Sequence, residues 1–228
     1  MIYFDNVSKS YTDNAAGIAL KDITLSVNPG EFISIVGQSG AGKTTLLKML
    51  LAEERPTEGK VFFESTDVHS LSRASLSEYR RRFGAVFQDF KLIPSKTAYE
   101  NIAFAMEAAG RSDKEIASDV PHILDLVDLG DKANNFPHEM SGGERQRIAI
   151  GRAIINQPSV IIADEPTGSL DPLNTFGVIQ ILKKINELGT TIIMTTHNRG
   201  VVENVGKRVI TMENGCISRD SLGGNYVI

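Results

Sequence analysis

The chain has 228 residues and a mass of 24.8 kDa, with 41% hydrophobic and 23% charged residues and a mean hydropathy of -0.10. This balance is typical of a folded globular domain and excludes disorder as the main state. The formal net charge of -4 provides no overall attraction to nucleic acid or to anionic lipid. The single Cys216 excludes an internal disulfide and is typical of a reducing compartment.

The chain begins with strand-like segments at residues 2–8, 18–27 and 31–36, separated by turn signals such as Asn28-Pro29-Gly30. Their short spacing predicts an antiparallel β layer. No apolar run approaches the roughly 18 residues of a spanning helix, and the first residues lack the basic-then-apolar pattern of a signal peptide. We therefore expect a cytoplasmic chain whose membrane role, if it has one, passes through a protein partner.

The strongest motif follows the third strand and matches the phosphate-binding pattern G-x-x-x-x-G-K-[ST], in the order Gly37, Gln38, Ser39, Gly40, Ala41, Gly42, Lys43 and Thr44. The glycines let backbone N–H groups point at a phosphate, and Lys43 adds a positive charge at the β and γ phosphates. Thr44 offers a hydroxyl to Mg²⁺. A strand before the motif and a helix after it make a chance match rare, so the segment predicts nucleotide binding.

The next stretch, between residues 72 and 140, is nearly all helical in pattern. We expect it to form a helical subdomain inserted in an α/β core. Gln88 follows a short strand-like run and, by itself, would usually be a loop amide. Capping-box patterns occur at Ser75 to Glu78, Thr97 to Glu100 and Ser112 to Glu115.

Residues 141–146, Ser-Gly-Gly-Glu-Arg-Gln, which we name the signature segment, precede an amphipathic helical run. Ser141 and Glu144 fit a capping box. Gly142 and Gly143 are poor helix formers, yet they would leave the N–H groups of a helix start open to an anion. The residues alone leave both interpretations open.

An apolar strand at residues 160–163 ends in Asp164 and Glu165, at the edge where an α/β sheet places its chemistry. Adjacent strand residues point in opposite directions, so the two acids suit different tasks. Asp164 suits Mg²⁺, and Glu165 suits orientation and deprotonation of an attacking water. The alternative, a solvated acidic pair, loses weight beside a phosphate loop, so hydrolysis is favoured over binding alone.

A helix follows, with Asp171 as its cap, Pro172 in its first turn and Gly189 at its end. A strand at residues 190–195 comes next, which completes a strand, crossover helix and strand of a parallel sheet. His197 beyond it is by default a satisfied histidine, and Tyr11 near the start is more often a packing residue than an adenine platform. The helix pattern predicts one apolar face made of Leu173, Phe176, Ile179, Leu182, Ile185 and Leu188.

As an ordered set, these motifs resemble those of the ABC-transporter ATPases, and the resemblance covers nearly the whole chain. It rests on Tyr11, residues 37–45, Gln88, the signature segment, residues 160–166 and 169–171, and His197. The resemblance implies an α/β fold: a P-loop, RecA-like ABC ATPase core with an antiparallel β subdomain and an inserted helical subdomain at about residues 72–140, all within one domain.

The resemblance also implies ATP with Mg²⁺ as ligands, and an ATP-dependent homodimer. Each ATP would lie between the phosphate loop of one chain and Ser141, Gly142 and Gly143 of the other. Met140 stands where the family usually has leucine, which keeps an apolar volume.

The resemblance implies particular roles for single residues. The catalytic residues would be Glu165, His197 at the γ-phosphate, Lys43 and Gln88, which would also sense a membrane partner. Tyr11 would stack on adenine, and Asp171 would organise the dimer interface. Residues 37–45, including Thr45, would hold the nucleotide, and the metal ligands would be Thr44, Gln88 and Asp164.

Within the family, residues 83–94 and 96–106 are similar to the FtsE branch of bacterial cell-division ATPases, and residues 219–220 and 223–226 resemble some of its members. This similarity implies an FtsX-like integral membrane partner, a peripheral location on the cytoplasmic face of the plasma membrane, and regulation of peptidoglycan hydrolysis. Helices between residues 97 and 109 would dock the partner. The alternative is the ATPase of an exporter for lipoprotein release or macrolide export, which shares much of this stretch. A DNA-repair ATPase would need coiled-coil insertions for which the chain has no room. A nucleotide-binding scaffold with incidental hydrolysis is a further alternative.

Overall fold

The structure is a computed structural model that describes residues 1–11 and 17–223. Residues 224–226 of the C-terminal resemblance lie outside these ranges. The strands are β1 (Ile2–Ser10), β2 (Ile18–Val27), β3 (Phe32–Val36), β4 (Glu58–Phe63), β5 (Thr66–Asp67), β6 (Phe83–Phe87), β7 (Val160–Asp164), β8 (Thr191–Thr195), β9 (Arg208–Glu213) and β10 (Cys216–Ser221). The α-helices are α1 (Lys43–Leu50), α2 (Arg73–Arg81), α3 (Ala98–Ala108), α4 (Asp113–Leu126), α5 (Gly142–Ile154), α6 (Pro172–Glu187) and α7 (Arg199–Val205).

The strands form two sheets. The antiparallel sheet has the order β2-β1-β4-β5. The larger sheet has the order β10-β9-β3-β8-β7-β6, and its strands β9, β3, β8, β7 and β6 run parallel. All five residues of β3 and of β8 are buried, as expected for central parallel strands covered on both faces. The expected α/β class with an antiparallel β layer is confirmed.

Alternating side chains on the parallel strands belong to two different cores. Phe32, Ile161 and Ile192 pack with α3, α4, α5 and α6 on one face of the sheet. Ile33 and Ile162 pack with α1 and the antiparallel sheet on the other face. The period of two along each strand thus divides the protein into a helical layer, a central sheet and a β layer. Within the described ranges, no helix combines the length and apolar character needed to cross a bilayer.

The helical pattern predicted for residues 72–140 is interrupted by β6, which pairs with β7 at the edge of the parallel sheet. The helix before it, α2, packs Tyr79 into the core of the β layer. Its cap is Ser72, whose hydroxyl accepts the Ser75 N–H at 3.2 Å. The predicted Ser75 to Glu78 cap is therefore wrong, because the helix starts one turn earlier. The capping boxes that start α3 and α4 are both present.

Helix α6 begins and ends where the sequence predicts, but its buried face differs from the prediction. Leu173, Phe176 and Leu188 are 81%, 53% and 74% exposed. Residues spaced by three rotate by about 60° at each step around a helix of 3.6 residues per turn, so a long run at that spacing leaves any single face. The face that packs on the sheet consists of Val178, Ile179, Ile181, Leu182 and Ile185.

Gly84 tests the close contact between β6 and α5. A Cβ atom at Gly84 would lie 2.4 Å from the carbonyl oxygen of Ala153, whereas one at Gly177 in α6 would meet nothing within 4 Å. We expect Gly84→Ala to lower the free energy of unfolding by about 1–3 kcal/mol through overpacking. Gly177→Ala, as a control, should raise it by about 0.5–1 kcal/mol through helix propensity. Urea unfolding followed by circular dichroism checks both, and a shift of both variants in the same direction would contradict the packing.

Candidate nucleotide-binding site

The phosphate loop, residues 37–44, joins the buried strand β3 to α1. Gly37 and Gly42 lie where another backbone comes close: a Cβ atom would be 2.3 Å from the Met212 carbonyl oxygen and 2.5 Å from that of Ala19. Gly42 is left-handed, with a φ of 100°, and no side chain caps the first turn of α1. The N–H groups of that turn are therefore available to an anion at the positive end of the helix dipole.

Lys43 points back into the loop that precedes it. Its side chain is buried, and its ammonium donates to the carbonyl oxygens of Gly37 at 2.8 Å and Gln38 at 3.0 Å. These two bonds hold a positive charge against the concave side of the loop, where a phosphate would accept from the same ammonium.

Asp164, the last residue of β7, connects the phosphate loop with β8. One carboxylate oxygen accepts from the Thr44 hydroxyl at 3.2 Å, and the other accepts from the buried Thr195 hydroxyl at 2.5 Å. Hydroxyl and carboxylate oxygens are the hard ligands that Mg²⁺ prefers. The donor set of Thr44 and Asp164 therefore fits this ion, and Gln88 lines the same cavity.

Glu165 turns away from the strand that precedes it. It is left-handed, with a φ of 47°, and its N–H donates to the Thr195 carbonyl oxygen at 3.1 Å and hydroxyl oxygen at 3.0 Å. Its Oε1 lies 2.9 Å from Nδ1 of His197. An ionised carboxylate only accepts, so Nδ1 carries the proton in this contact. A left-handed non-glycine residue costs about 1 kcal/mol, which the bonds to Thr195 offset.

Gln88 follows β6 and rests on the loop that connects β7 to α6. A Cβ atom at Gly168 would lie 3.0 Å from the Gln88 amide, and the Ser169 hydroxyl donates to the Gln88 carbonyl oxygen at 3.4 Å. The motifs in the sequence do not indicate Gly168 or Thr195. A threonine that ends an apolar strand, and a glycine three residues after the strand-end acids, were the available signals.

A cavity of about 590 Å³ brings most of the predicted residues together. It is lined by Gln38, Ser39, Gly40, Ala41, Gly42, Lys43, Thr44, Thr45, Gln88, Asp164, Glu165 and His197, and by Ala19, which the sequence did not indicate. Within the part of the chain that the structure describes, its lining excludes Tyr11, Gly37, Ser141, Gly142, Gly143 and Asp171. The sites predicted around the phosphate loop and around the signature segment are thus separate within one chain.

The signature segment forms a complete helix cap. The Ser141 hydroxyl accepts the Glu144 N–H at 3.3 Å, and the Glu144 carboxylate accepts the Ser141 N–H at 2.8 Å. The bond from the Ser141 N–H is the main cause that lowers the pKa of Glu144. The capping interpretation is therefore correct at the level of local structure.

Packing against α6 accounts for one of the two signature glycines. A Cβ atom at Gly143 would lie 1.8 Å from the side-chain oxygen of Asn174, so a larger residue there would displace Asn174. At Gly142 the nearest atom would be a Leu170 methyl group at 3.3 Å. A side chain at Gly143 would thus require Asn174 to move, whereas one at Gly142 would require a shift of a few tenths of an ångström in Leu170.

Asp171 caps α6 and orients Asn174. One carboxylate oxygen accepts the Asn174 N–H at 3.0 Å and the other accepts its side-chain amide at 2.5 Å. The backbone bond is the main cause that lowers the pKa of Asp171. Through Asn174, the start of α6 packs directly on Gly143 at the start of α5.

Tyr11 lies at the end of β1, apart from the phosphate cavity. Its side chain is half exposed, and the Lys9 ammonium lies 5.0 Å from the centre of its ring. Stacking of Tyr11 on adenine stays a prediction from the resemblance.

The chain is similar over most of its length to known ATP-binding proteins. The family model described as "ABC transporter" matches residues 20–168. The cell division ATP-binding protein FtsE of Bacillus subtilis is 46% identical over 99% of this chain and 98% of its own length, and that of Escherichia coli K12 is 40% identical over 94% and 96%. The ATP-binding cassette MJ0796, solved as a dimer in a post-hydrolysis state bound to ADP and Pi, superposes with a TM-score of 0.87 at 37% identity, covering 97% of this chain and 98% of that chain.

The loop geometry predicts that Lys43 provides most of the charge that meets the nucleotide. We expect Lys43→Ala to weaken ATP binding at least tenfold, because a charge-assisted bond to a phosphate contributes about 1.5–3 kcal/mol. Lys48→Ala, an exposed lysine on the same helix, is the matched control and should bind as the unaltered chain does. Isothermal titration calorimetry measures both affinities, and equal affinities would rule out the role given to Lys43.

Proposed function

The chain belongs to the ABC transporter family and is an ATP hydrolase, and from this we propose that it serves a bacterial cell-division complex of the FtsE–FtsX type. Relatives named as cell division ATP-binding proteins, 40–46% identical over 94% or more of the chain, support the proposal. These comparisons do not favour the alternative, an exporter ATPase for lipoprotein release or macrolides.

We propose Mg²⁺-ATP as the ligand of the cavity beside the phosphate loop. The uncapped first turn of α1 and the Lys43 ammonium support binding of the β and γ phosphates. Thr44, Asp164 and Gln88 would hold Mg²⁺, which supplies neutralisation of phosphate charge when it is bound. Tyr11 would take the adenine ring.

The proposed reaction is attack of a water molecule on the γ-phosphate, which breaks the bond to the oxygen that bridges the β and γ phosphates and releases ADP and inorganic phosphate. Glu165 orients the water and accepts its proton, and its unusual backbone conformation turns the carboxylate toward the cavity that Asp164 and Thr44 also line. His197, in contact with Glu165 at 2.9 Å, holds the side of the cavity where the γ-phosphate would lie. Gln88 faces the same space and orients the water or the metal ligands.

A second copy of the chain would complete each site. Ser141 and Gly142 lie outside the chain's own phosphate cavity, which supports contact with ATP held by a partner chain. Similar cassettes solved as dimers support the same arrangement. Asp171, which fixes the start of α6 beside Gly143, would lie at the dimer interface.

The membrane partner would dock beside Gln88, in a groove between α2, α3 and α5. Two adjoining cavities of about 470 and 610 Å³ share Arg81, Ala105, Ala108 and Asn156. Part of the predicted docking helix, 97–109, therefore lines the groove. Its apolar floor and arginine rim fit an amphipathic segment with acidic side chains. Docking there would hold the chain at the cytoplasmic face of the plasma membrane and pass ATP-driven dimerisation to an FtsX-like protein that regulates peptidoglycan hydrolysis.

The proposed general base is tested by Glu165→Gln, which removes proton acceptance and keeps the shape of the side chain. We expect the ATP turnover number to fall by about 10²–10⁴, with ATP affinity retained. Glu78→Gln, an exposed residue on α2, is the control. The turnover number is measured as phosphate release under saturating Mg²⁺-ATP. Turnover at the unaltered rate in Glu165→Gln would show that another group takes the proton.

The proposed partner is tested by co-purification from membranes, with Glu165→Gln and Mg²⁺-ATP used to keep the dimer closed. We expect an FtsX-like integral protein to co-purify together with division proteins. Adding Ala108→Arg, which fills the groove, should reduce its recovery about tenfold or more, whereas Ala117→Arg, also an exposed alanine on a helix, should not. Recovery of an exporter permease would assign the chain to export, and full recovery with Ala108→Arg would place docking elsewhere.

A further inference from the structure

Arg152, in the last turn of α5, holds the segment that carries Gln88. Its guanidinium donates to the carbonyl oxygen of Lys91 at 2.6 Å and to that of Phe90 at 2.9 Å. The two carbonyls are consecutive, so they match the planar fork of one guanidinium. Gln88 lies two residues before Phe90. We name residues 87–91, which contain Gln88, Phe90 and Lys91, the Gln88 segment.

The backbone that accepts these bonds is in an unfavourable conformation. Phe90 and Lys91 are both left-handed, with φ of 60° and 48°. Each such residue costs about 1 kcal/mol when it is not glycine, and two in succession persist only where their surroundings hold them. The two bonds from Arg152 are made to these residues, so they stabilise this backbone conformation directly.

The guanidinium of Arg152 makes its hydrogen bonds with the carbonyl oxygens of Phe90 and Lys91. The side chain is partly buried, and desolvation lowers the pKa of the guanidinium. Among the contacts of the described residues, its hydrogen bonds go to these two carbonyl oxygens and it has no carboxylate partner. Breaking these two hydrogen bonds would leave a partly desolvated guanidinium without its partners, which is unfavourable in free energy.

Helix α5 holds the Gln88 segment at a second point, near its start. The guanidinium carbon of Arg145 lies 5.1 Å from the centre of the Phe90 ring, and a Cβ atom at Gly142 would lie 4.0 Å from the tip of that ring. Arg145 and Arg152 are seven positions apart, which is about two helical turns, so both are on one face of α5. The Gln88 segment thus lies along the helix that begins at Ser141.

We propose that Arg152 is a positioning residue that fixes the Gln88 segment to α5, so that the Gln88 amide and the signature segment keep one relative geometry. The proposal rests on the role given to Gln88 in the proposed function. Lys91 and Arg152 also line the groove assigned to the membrane partner. A partner that presses on this groove would therefore move Gln88, in the chain's own cavity, together with Ser141, which faces the second chain.

The test replaces the planar guanidinium of Arg152 with an ammonium group, which keeps the positive charge. We expect Arg152→Lys to lower kcat for ATP about tenfold or more, because a small displacement of a positioned group is costly. ATP affinity should stay close to that of the unaltered chain. Amide hydrogen exchange should rise in residues 88–92. Arg111→Lys, at an exposed ion pair on the helical side, is the matched control and should change none of these.

The double variant separates positioning from a general structural effect. If Arg152 acts through Gln88, then Gln88→Ala with Arg152→Lys has the same kcat as Gln88→Ala alone. Multiplied losses in the double variant, or an unchanged kcat in Arg152→Lys while Gln88→Ala is impaired, would overturn the inference and leave the proposed function intact. An unchanged kcat in Gln88→Ala would instead show that the role proposed for Gln88 is wrong, and the inference would fall with it.

Discussion

The carboxylate of Asp164 connects the elements on which the site depends. One oxygen accepts from Thr44 at the start of α1 and the other from Thr195 at the end of β8, so a single side chain sets the position of the phosphate loop relative to two neighbouring strands. Thr195 in turn accepts the N–H of Glu165 and holds it in a left-handed conformation. The acids of the Asp164-Glu165 pair are thereby given different tasks: one is bonded to hydroxyl groups and the other faces His197. The chemistry proposed for the cavity follows from this division.

The phosphate-loop cavity and the signature segment, the two parts of the proposed ATP site, lie at separate places within one chain. The residues around the phosphate loop share one cavity, while the signature segment packs with Asp171 and Asn174 at the starts of α5 and α6. Gly143 is explained by its contact with Asn174, whereas a Cβ atom at Gly142 would meet only a Leu170 methyl group, at 3.3 Å, and the tip of the Phe90 ring, at 4.0 Å. In the proposed dimer, with the second half of each site on another copy of the chain, hydrolysis would depend on association, and a membrane partner would detect that association.

The features that depend on a short run of consecutive residues could be predicted from the sequence. The phosphate loop, the acids at the end of β7 and the capping boxes of α3 and α4 are local patterns, and they were found. Thr195, Gly168 and Asn174 were missed because their roles arise from contacts across the fold, which no spacing along the chain records. The wrong cap at Ser75 has another cause: Ser72 and Ser75 both have the residue type of a cap, and only the position of α2 against the β layer decides between them. The apolar face of α6 was predicted from residues that are mostly three positions apart. Such residues do not stay on one face of a helix with 3.6 residues per turn.

The central claim, that a working site is shared between two chains, is tested by mixing two inactive variants. Lys43→Ala disables the phosphate loop, and Gly142→Asp puts a negative charge where the partner's ATP would lie, at a position where a Cβ atom needs only a small shift of a Leu170 methyl group. Each variant alone should be nearly inactive in phosphate release. An equimolar mixture should regain roughly a quarter of the unaltered activity, since half of the dimers would be mixed and one of their two sites intact. A mixture as inactive as its components, or full activity of Gly142→Asp alone, would contradict the shared site.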